Sequence, residues 1–181
     1  ANGTTTAVFS EITKEKVSAN AEVVAEIARG SAAVYGINTG FGPLCTTIIS
    51  SAETGQLQEN LLKSHAVGLG EPISPQLSRL MLVLKLHALA HGYSGVKLST
   101  LERIAWMLDN NVTPVVPSLG SVGASGDLAP LSHLFLPLIG YGYVWKGGKR
   151  SPAAEVLAEK GLDTIQLGAK EGLGLINGTQ F

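Results

Sequence analysis

The segment GSVGASGDLAPLSH, Gly120 to His133, sets one serine among residues with almost no side chain. Ala124 precedes Ser125, Gly126 follows it, and Gly120 and Gly123 lie upstream, so the segment adds little to a core and its backbone carries the chemistry. If the chain bends until the Gly126 nitrogen faces the Ala124 carbonyl carbon, a five-membered ring can close. Glycine suits position 126 because a side chain would crowd the attack and resist the backbone angles it needs. Loss of one water from the ring, and of the Ser125 hydroxyl as a second, leaves an electron-poor exocyclic alkene, an electrophile made from the chain itself. A helix beginning just beyond would set its positive N-terminal pole beside that group and favour negative charge developing there.

Other chemistries fit the same residues less well. GASGD approaches the G-x-S-x-G nucleophile elbow, but Asp127 stands where the last glycine belongs and no strand leads into the serine. His87 and His91 lie four apart, as zinc ligands on a helix do, yet position 88 is alanine and no third ligand is evident, so helix packing is the simpler reading and no metal is expected. Glycines 36, 40 and 42, and 172, 174 and 178, miss the dinucleotide-binding spacing.

The elements that must position the serine are mostly helical. Apolar spacing predicts helices over residues 10–29, 53–67, 76–91, 99–110 (with a Ser or Thr cap), 127–139 and 152–160. The 76–91 helix is apolar nearly all round, which predicts a central buried helix or a subunit interface. VYGINTGFGP, 34–43, reads as an irregular loop, and GYGYVWKGGKR as a hairpin turning on Gly147-Gly148. The 181 residues carry 45% hydrophobic and 15% charged residues and a net charge of −1, which suits one globular domain, residues 1–181, and speaks against nucleic acid or an anionic membrane as partner. A lone cysteine, Cys45, and an N-terminus without an apolar core of signal-peptide length read as cytoplasmic. The ending at Phe181, after a turn and without a cap, reads as a truncation.

GSVGASGDLAPLSH resembles the signature of the aromatic amino acid ammonia-lyase family, whose prosthetic group, 4-methylideneimidazol-5-one, forms from Ala-Ser-Gly. YGINTGFG (35–42), LLKSHAVGLG (61–70) and KEGLGLINGTQ (170–180) match further family motifs in the family's order, so the resemblance covers nearly the whole chain. It implies a mainly α fold: the N-terminal ring-bearing domain of the ammonia-lyase fold, with a small β-hairpin and without the C-terminal bundle of long helices. By the same resemblance Ala124, Ser125 and Gly126 would form the ring, with no external cofactor. Tyr35 would take a proton from the substrate's β-carbon, and Asn177 would hydrogen-bond the ring with Gln180 nearby. Ser64 and His65 would touch the substrate's aromatic ring, and Gly42 would line the same pocket. Each residue also has a plainer reading: Tyr35 as a packed loop root, His65 as a half-buried histidine capped by Ser64, and Asn177 as an Asn-Gly turn.

The Ser-His pair resembles the histidine-specific branch, where phenylalanine-acting relatives usually carry Phe-Leu, although some tyrosine-acting relatives share it. The resemblance therefore implies non-oxidative elimination of ammonia from L-histidine to trans-urocanate, a step of histidine catabolism. The alternatives are a tyrosine or phenylalanine ammonia-lyase or an aminomutase. A reading of another class is an interaction domain whose uncyclised Ala-Ser-Gly loop caps a helix and binds an anion. Family members are longer and form homotetramers with shared active sites, which implies that residues 1–181 alone are inactive and self-associating.

Overall fold

The computed structural model describes residues 6–122 and 126–181. Helices α1 (Glu11–Arg29), α2 (Ser51–His65), α3 (Pro75–Ala90), α4 (Leu98–Asp109), α5 (Leu128–Phe135), α6 (Ala153–Glu159) and α7 (Glu171–Ile176) carry most of the fold. Strands β1 (Leu69–Pro72) and β3 (Pro117–Leu119) form one antiparallel pair. The other sheet is antiparallel in the order β2-β4-β5, with β2 at Thr113–Pro114, β4 at Tyr143–Lys146 and β5 at Lys149–Pro152. The expected hairpin is β4–β5, and both turn glycines take positive φ, +55° at Gly147 and +77° at Gly148, as a two-residue primed turn requires. Among the described residues no helix is long and apolar enough to cross a membrane.

Local signals set most helix bounds. The Ser10 side chain accepts the Thr13 amide at the start of α1, and Ser74 accepts the Leu77 amide before Pro75 opens α3. On α1, Val17 and Val24 are buried while Ile12 and Val23 are exposed. The expected Ser or Thr cap on α4 is absent. Lys97 is the capping residue there, and its amide is taken instead by the carboxylate of Glu171, 74 residues along the chain.

Two further expectations are corrected. The helix expected over 127–139 is α only as far as Phe135 and continues as a 3-10 turn over Leu136–Ile139, because Pro137 has no amide to donate back. Helix α3 is not buried all round, which corrects the central-helix half of its expectation: Met81, Leu82, Leu86 and Leu89 pack inward, whereas Leu77, Leu80, Val83 and Leu84 are 44–52% exposed. A helix buries only the faces that have neighbours, and α1, α4 and β2 all pack against the inner side of α3. The centre of the core is α5, whose Leu131, Leu134 and Phe135 are fully enclosed, with α2 and α7 against it.

Candidate functional site

Gly123, Ala124 and Ser125 lie outside the described residues; Val122 and Gly126 flank them. Val122 donates its amide to the Gly126 carbonyl at 2.9 Å, an antiparallel bridge that pinches residues 122 and 126 together. Gly126 is also bridged in parallel to Gly178, and the Asp127 amide donates to the Gly178 carbonyl at 3.3 Å. Gly126 holds φ at +83°, a conformation that disfavours any L side chain. A Cβ at 126 would stand 3.6 Å from Thr179 Cγ2 and 3.7 Å from the Gly178 oxygen, ordinary contact distances. Among the described residues, then, backbone angle rather than crowding makes glycine the fitting residue. A left-handed glycine at 126, bridged back to Val122, is the backbone that ring closure onto the Ala124 carbonyl calls for, so the described residues fit a ring made from Ala124, Ser125 and Gly126.

The bridge from Gly126 to Gly178 brings Gly126 close to Asn177, which caps the end of the short helix α7. Six residues are too few to hold a helix by propensity alone, and side chains from elsewhere grip both of its ends. At the start, the buried Glu171 carboxylate accepts from the Lys97 amide (2.9 Å), the Thr100 hydroxyl (2.8 Å) and the Gly168 amide (2.7 Å). Wholly buried Gln58 on α2 accepts the Leu173 amide at 3.2 Å. At the end, Lys85 of α3 donates its ammonium to the Asn177 carbonyl at 2.7 Å. Lys85 is 3% exposed, and burial pulls its pKa from 10.5 down to about 8.

Asp127 locks the same region from the other side. Its carboxylate is buried and accepts the Ser121 hydroxyl and the Phe181 amide, each at 2.8 Å. It makes no side-chain cap on α5; its oxygens are spent on chain segments that bracket Gly126. Gln180 folds back over Gly178 with its Oε1 buried and without a partner among the described residues.

The Tyr35 loop reaches the same helix. Gly36 has φ of +74°, and a Cβ there would fall 2.6 Å from Leu173 Cδ2, so the loop lies directly on α7. Asn38, wholly buried, shapes it by accepting the Val34 amide at 2.8 Å and donating to the Ala32 carbonyl at 2.9 Å. Tyr35 itself is 58% exposed, edge-on to Phe41 with ring centroids 5.9 Å apart. Gly42 begins an exposed turn with φ of +56° and open space where a Cβ would stand. None of the contacts above reaches it.

Ser64 and His65 close the last turn of α2. His65 Nδ1 lies 2.9 Å from the Leu61 carbonyl and 3.2 Å from Ser64 Oγ. A carbonyl can only accept, so Nδ1 carries the hydrogen and Nε2 is left as a bare acceptor. Just beyond, the Gly68 amide donates to His133 Nε2 at 3.0 Å, tying this segment to α5. Burial lowers the His133 pKa from 6.5, which favours the neutral ring that this bond needs.

The structure thus links Tyr35, Gly126, Asn177 and Gln180 through α7, and joins the Ser64-His65 segment to them through α5. Sequence reasoning missed α7 as a helix, and with it Glu171, Gln58, Lys85 and His133 as supports. A legible signal existed for Lys85, the lone charge in the run LMLVLKLHALA. His87 on α3 and His91, the residue capping its C-terminal end, stack edge-on at 5.0 Å and are both exposed, and no cluster of three or more His, Cys, Asp or Glu side chains suited to a metal occurs among the described residues.

Comparison with known proteins bears on the whole chain. A family model described as aromatic amino acid lyase matches residues 1–181. The curated histidine ammonia-lyase of Deinococcus radiodurans is 48% identical over 173 residues, which covers 96% of this chain and 33% of that protein. The histidine ammonia-lyase of Roseobacter denitrificans is 52% identical over 165 residues, covering 91% of this chain and 32% of that one. Among solved structures, histidine ammonia-lyase from Trypanosoma cruzi matches with a TM-score of 0.86 at 40% identity, over 97% of this chain and 33% of that chain. Tyrosine aminomutase from Streptomyces globisporus matches with a TM-score of 0.91 at 37% identity, over 99% and 34%. The chain spans about a third of the length of the relatives it matches.

Proposed function

The chain belongs to the aromatic amino acid lyase family, and from that membership we propose that it is the N-terminal, ring-bearing part of an enzyme that eliminates ammonia from L-histidine to give trans-urocanate. The observation that supports this reading is the double bridging of Gly126, to Val122 and to Gly178, which brings the residue after Asn177 against the glycine of the Ala-Ser-Gly tripeptide. When formed, 4-methylideneimidazol-5-one from Ala124, Ser125 and Gly126 supplies the electrophile that makes the elimination feasible, with no external cofactor or metal.

The remaining work falls to side chains. Tyr35 stands on a glycine-lined loop open to solvent, where its phenolic oxygen takes a proton from the substrate β-carbon while ammonia leaves the α-carbon with the electron pair of the broken C–N bond. A tyrosine is ionised to only about one part in a thousand at pH 7, so this role calls for positive potential around the phenol. Asn177 hydrogen-bonds the ring system, with Gln180 next to it. His65 Nε2 accepts the substrate's imidazole N–H, and Ser64 steadies the ring of His65. The histidine ammonia-lyases at about 50% identity support this choice of substrate. The reading includes a cytoplasmic homotetramer with shared active sites, in keeping with the exposed apolar face of α3 and an unpaired Cys45.

One observation favours a second reading. The bare Nε2 of His65 would accept a phenolic O–H as readily as an imidazole N–H, and a tyrosine aminomutase is among the matching structures. The full-length protein assayed with L-histidine, L-tyrosine and L-phenylalanine decides between them, with urocanate absorbance as the histidine readout. Intact mass should show the loss of two waters. An active protein without that loss, or turnover confined to tyrosine, would overturn the first reading.

A further inference from the structure

Lys85 interrupts an otherwise apolar helix, LMLVLKLHALA, and its side chain points into the core rather than away from it. Enclosing an ammonium is expensive unless it is paired, yet no carboxylate pairs with it among the described residues. Its one described bond is to the Asn177 carbonyl, at 2.7 Å. That carbonyl caps the C-terminal end of α7, where unsatisfied carbonyls and the negative end of the helix dipole both favour a cation. The next peptide group carries the Gly178 carbonyl that receives the Asp127 amide, and Gly178 is the residue bridged to Gly126. Further on, Phe181 is held by the Asp127 carboxylate. Residues 177–181 are therefore gripped by a buried cation at one end and a buried anion at the other.

We propose that Lys85 is a positioning residue for Asn177: its ammonium holds the Asn177–Gly178 peptide in the orientation that pairs Gly178 with Gly126, and so sets where the Asn177 side chain stands relative to Gly126. The inference rests on the reading of Ala124, Ser125 and Gly126 as the reactive centre. A neutral side chain of similar size would keep the packing of α3 and release the carbonyl. Lysine suits the task because it places a full charge at the end of a long stem that itself packs among apolar neighbours.

The test uses the full-length protein with Lys85→Met, Lys85→Arg, Asn177→Ala and the double variant Lys85→Met/Asn177→Ala. Lys85→Met is expected to fold, keep the two-water mass loss, and lower kcat at least about 30-fold with KM within about threefold. Lys85→Arg, which keeps a cation, should recover most of the rate. The double variant should be no slower than Asn177→Ala alone, because a residue acting through Asn177 has nothing left to position once that side chain is gone. Hydrogen exchange at the amides of residues 178–181 gives a readout independent of turnover, and it should speed at least about tenfold in Lys85→Met and stay slow in Lys85→Arg. Unchanged exchange in Lys85→Met, or rate losses that multiply in the double variant, would overturn the proposal. If the wild type eliminates ammonia from no amino acid, the functional reading fails, and the exchange result still decides whether Lys85 holds this turn. Should Lys85→Met not fold, Lys85→Gln, which keeps a donor without the charge or the reach, is read against the same outcomes.

Discussion

Replacing His65 by leucine separates a specificity role from a packing role. The Leu61 carbonyl fixes the hydrogen of His65 on Nδ1, leaving Nε2 to accept. An imidazole N–H or a phenolic O–H of a substrate can donate to it, and a phenyl ring cannot. Leucine removes the acceptor and leaves the substrate's donor unpaired, at a cost of about 1–3 kcal/mol, which is about 5- to 150-fold in kcat/KM for L-histidine. The fold should tolerate the change, because Leu61 O lies in the last turn of α2 and keeps the Ser64 hydroxyl as a donor at 3.2 Å. L-Phenylalanine, with nothing to donate, should be turned over as well as before or better. The assay is kcat/KM for L-histidine, L-tyrosine and L-phenylalanine on wild type and His65→Leu, alongside intact mass to establish that the ring is present in both. Equal losses on histidine and phenylalanine would refute the reasoning and leave His65 as a packing residue.

Tyr35→Phe should lower kcat at least about a thousandfold, roughly 4 kcal/mol of barrier, with the mass loss of two waters unchanged; near-normal turnover would remove Tyr35 from the mechanism. Glu171→Gln turns one acceptor oxygen of a buried carboxylate into a donor facing N–H and O–H groups of Lys97, Thr100 and Gly168, and should destabilise by about 3–5 kcal/mol. The Lys97 ammonium at 3.4 Å is half exposed and is credited with none of that. A shift in the urea midpoint worth less than about 1 kcal/mol would show that α7 is held by packing alone. His133 has its pKa lowered from 6.5 by burial, so the folded state binds its proton less readily than the unfolded state. The stability from the Gly68–His133 bond is therefore present above about pH 6.5 and lost as pH falls through the folded-state value. Protection of the Gly68 amide, corrected for its intrinsic exchange rate, should fall in acid and become flat in His133→Gln.

The helices α1 to α4 and α6 were legible in the sequence within two residues because their signals are local. Ser10 and Ser74 accept amides three residues ahead, Pro75 opens a first turn, and apolar residues recur at helical spacing. The β4–β5 hairpin was legible for the same reason, since two glycines with positive φ specify a primed turn whatever surrounds them. The β1–β3 pair was not: each strand is short and contains proline, and its partner lies more than 40 residues away, so no local pattern announces it. Helix α7 was read as a turn because six residues rich in glycine have little helical propensity of their own.

The candidate site divides along the same line. The proposed ring tripeptide Ala124-Ser125-Gly126 stands out in the sequence because ring closure depends on residue type at adjacent positions, and the proposed roles of Tyr35, Ser64, His65 and Asn177 come from contiguous motifs. Sequence alone therefore determined which chemistry is proposed for the chain. Only the tertiary structure decided which groups hold it in place. Lys85 reaches Asn177 across 92 residues, Glu171 reaches Thr100 across 71, and His133 reaches Gly68 across 65. It also decided that Asp127 locks Phe181 rather than capping its own helix, and that His65 presents Nε2 rather than Nδ1. These pairings depend on which buried donor meets which acceptor once the helices have packed, a choice made by the geometry of the assembled core and not written in the spacing of any one segment.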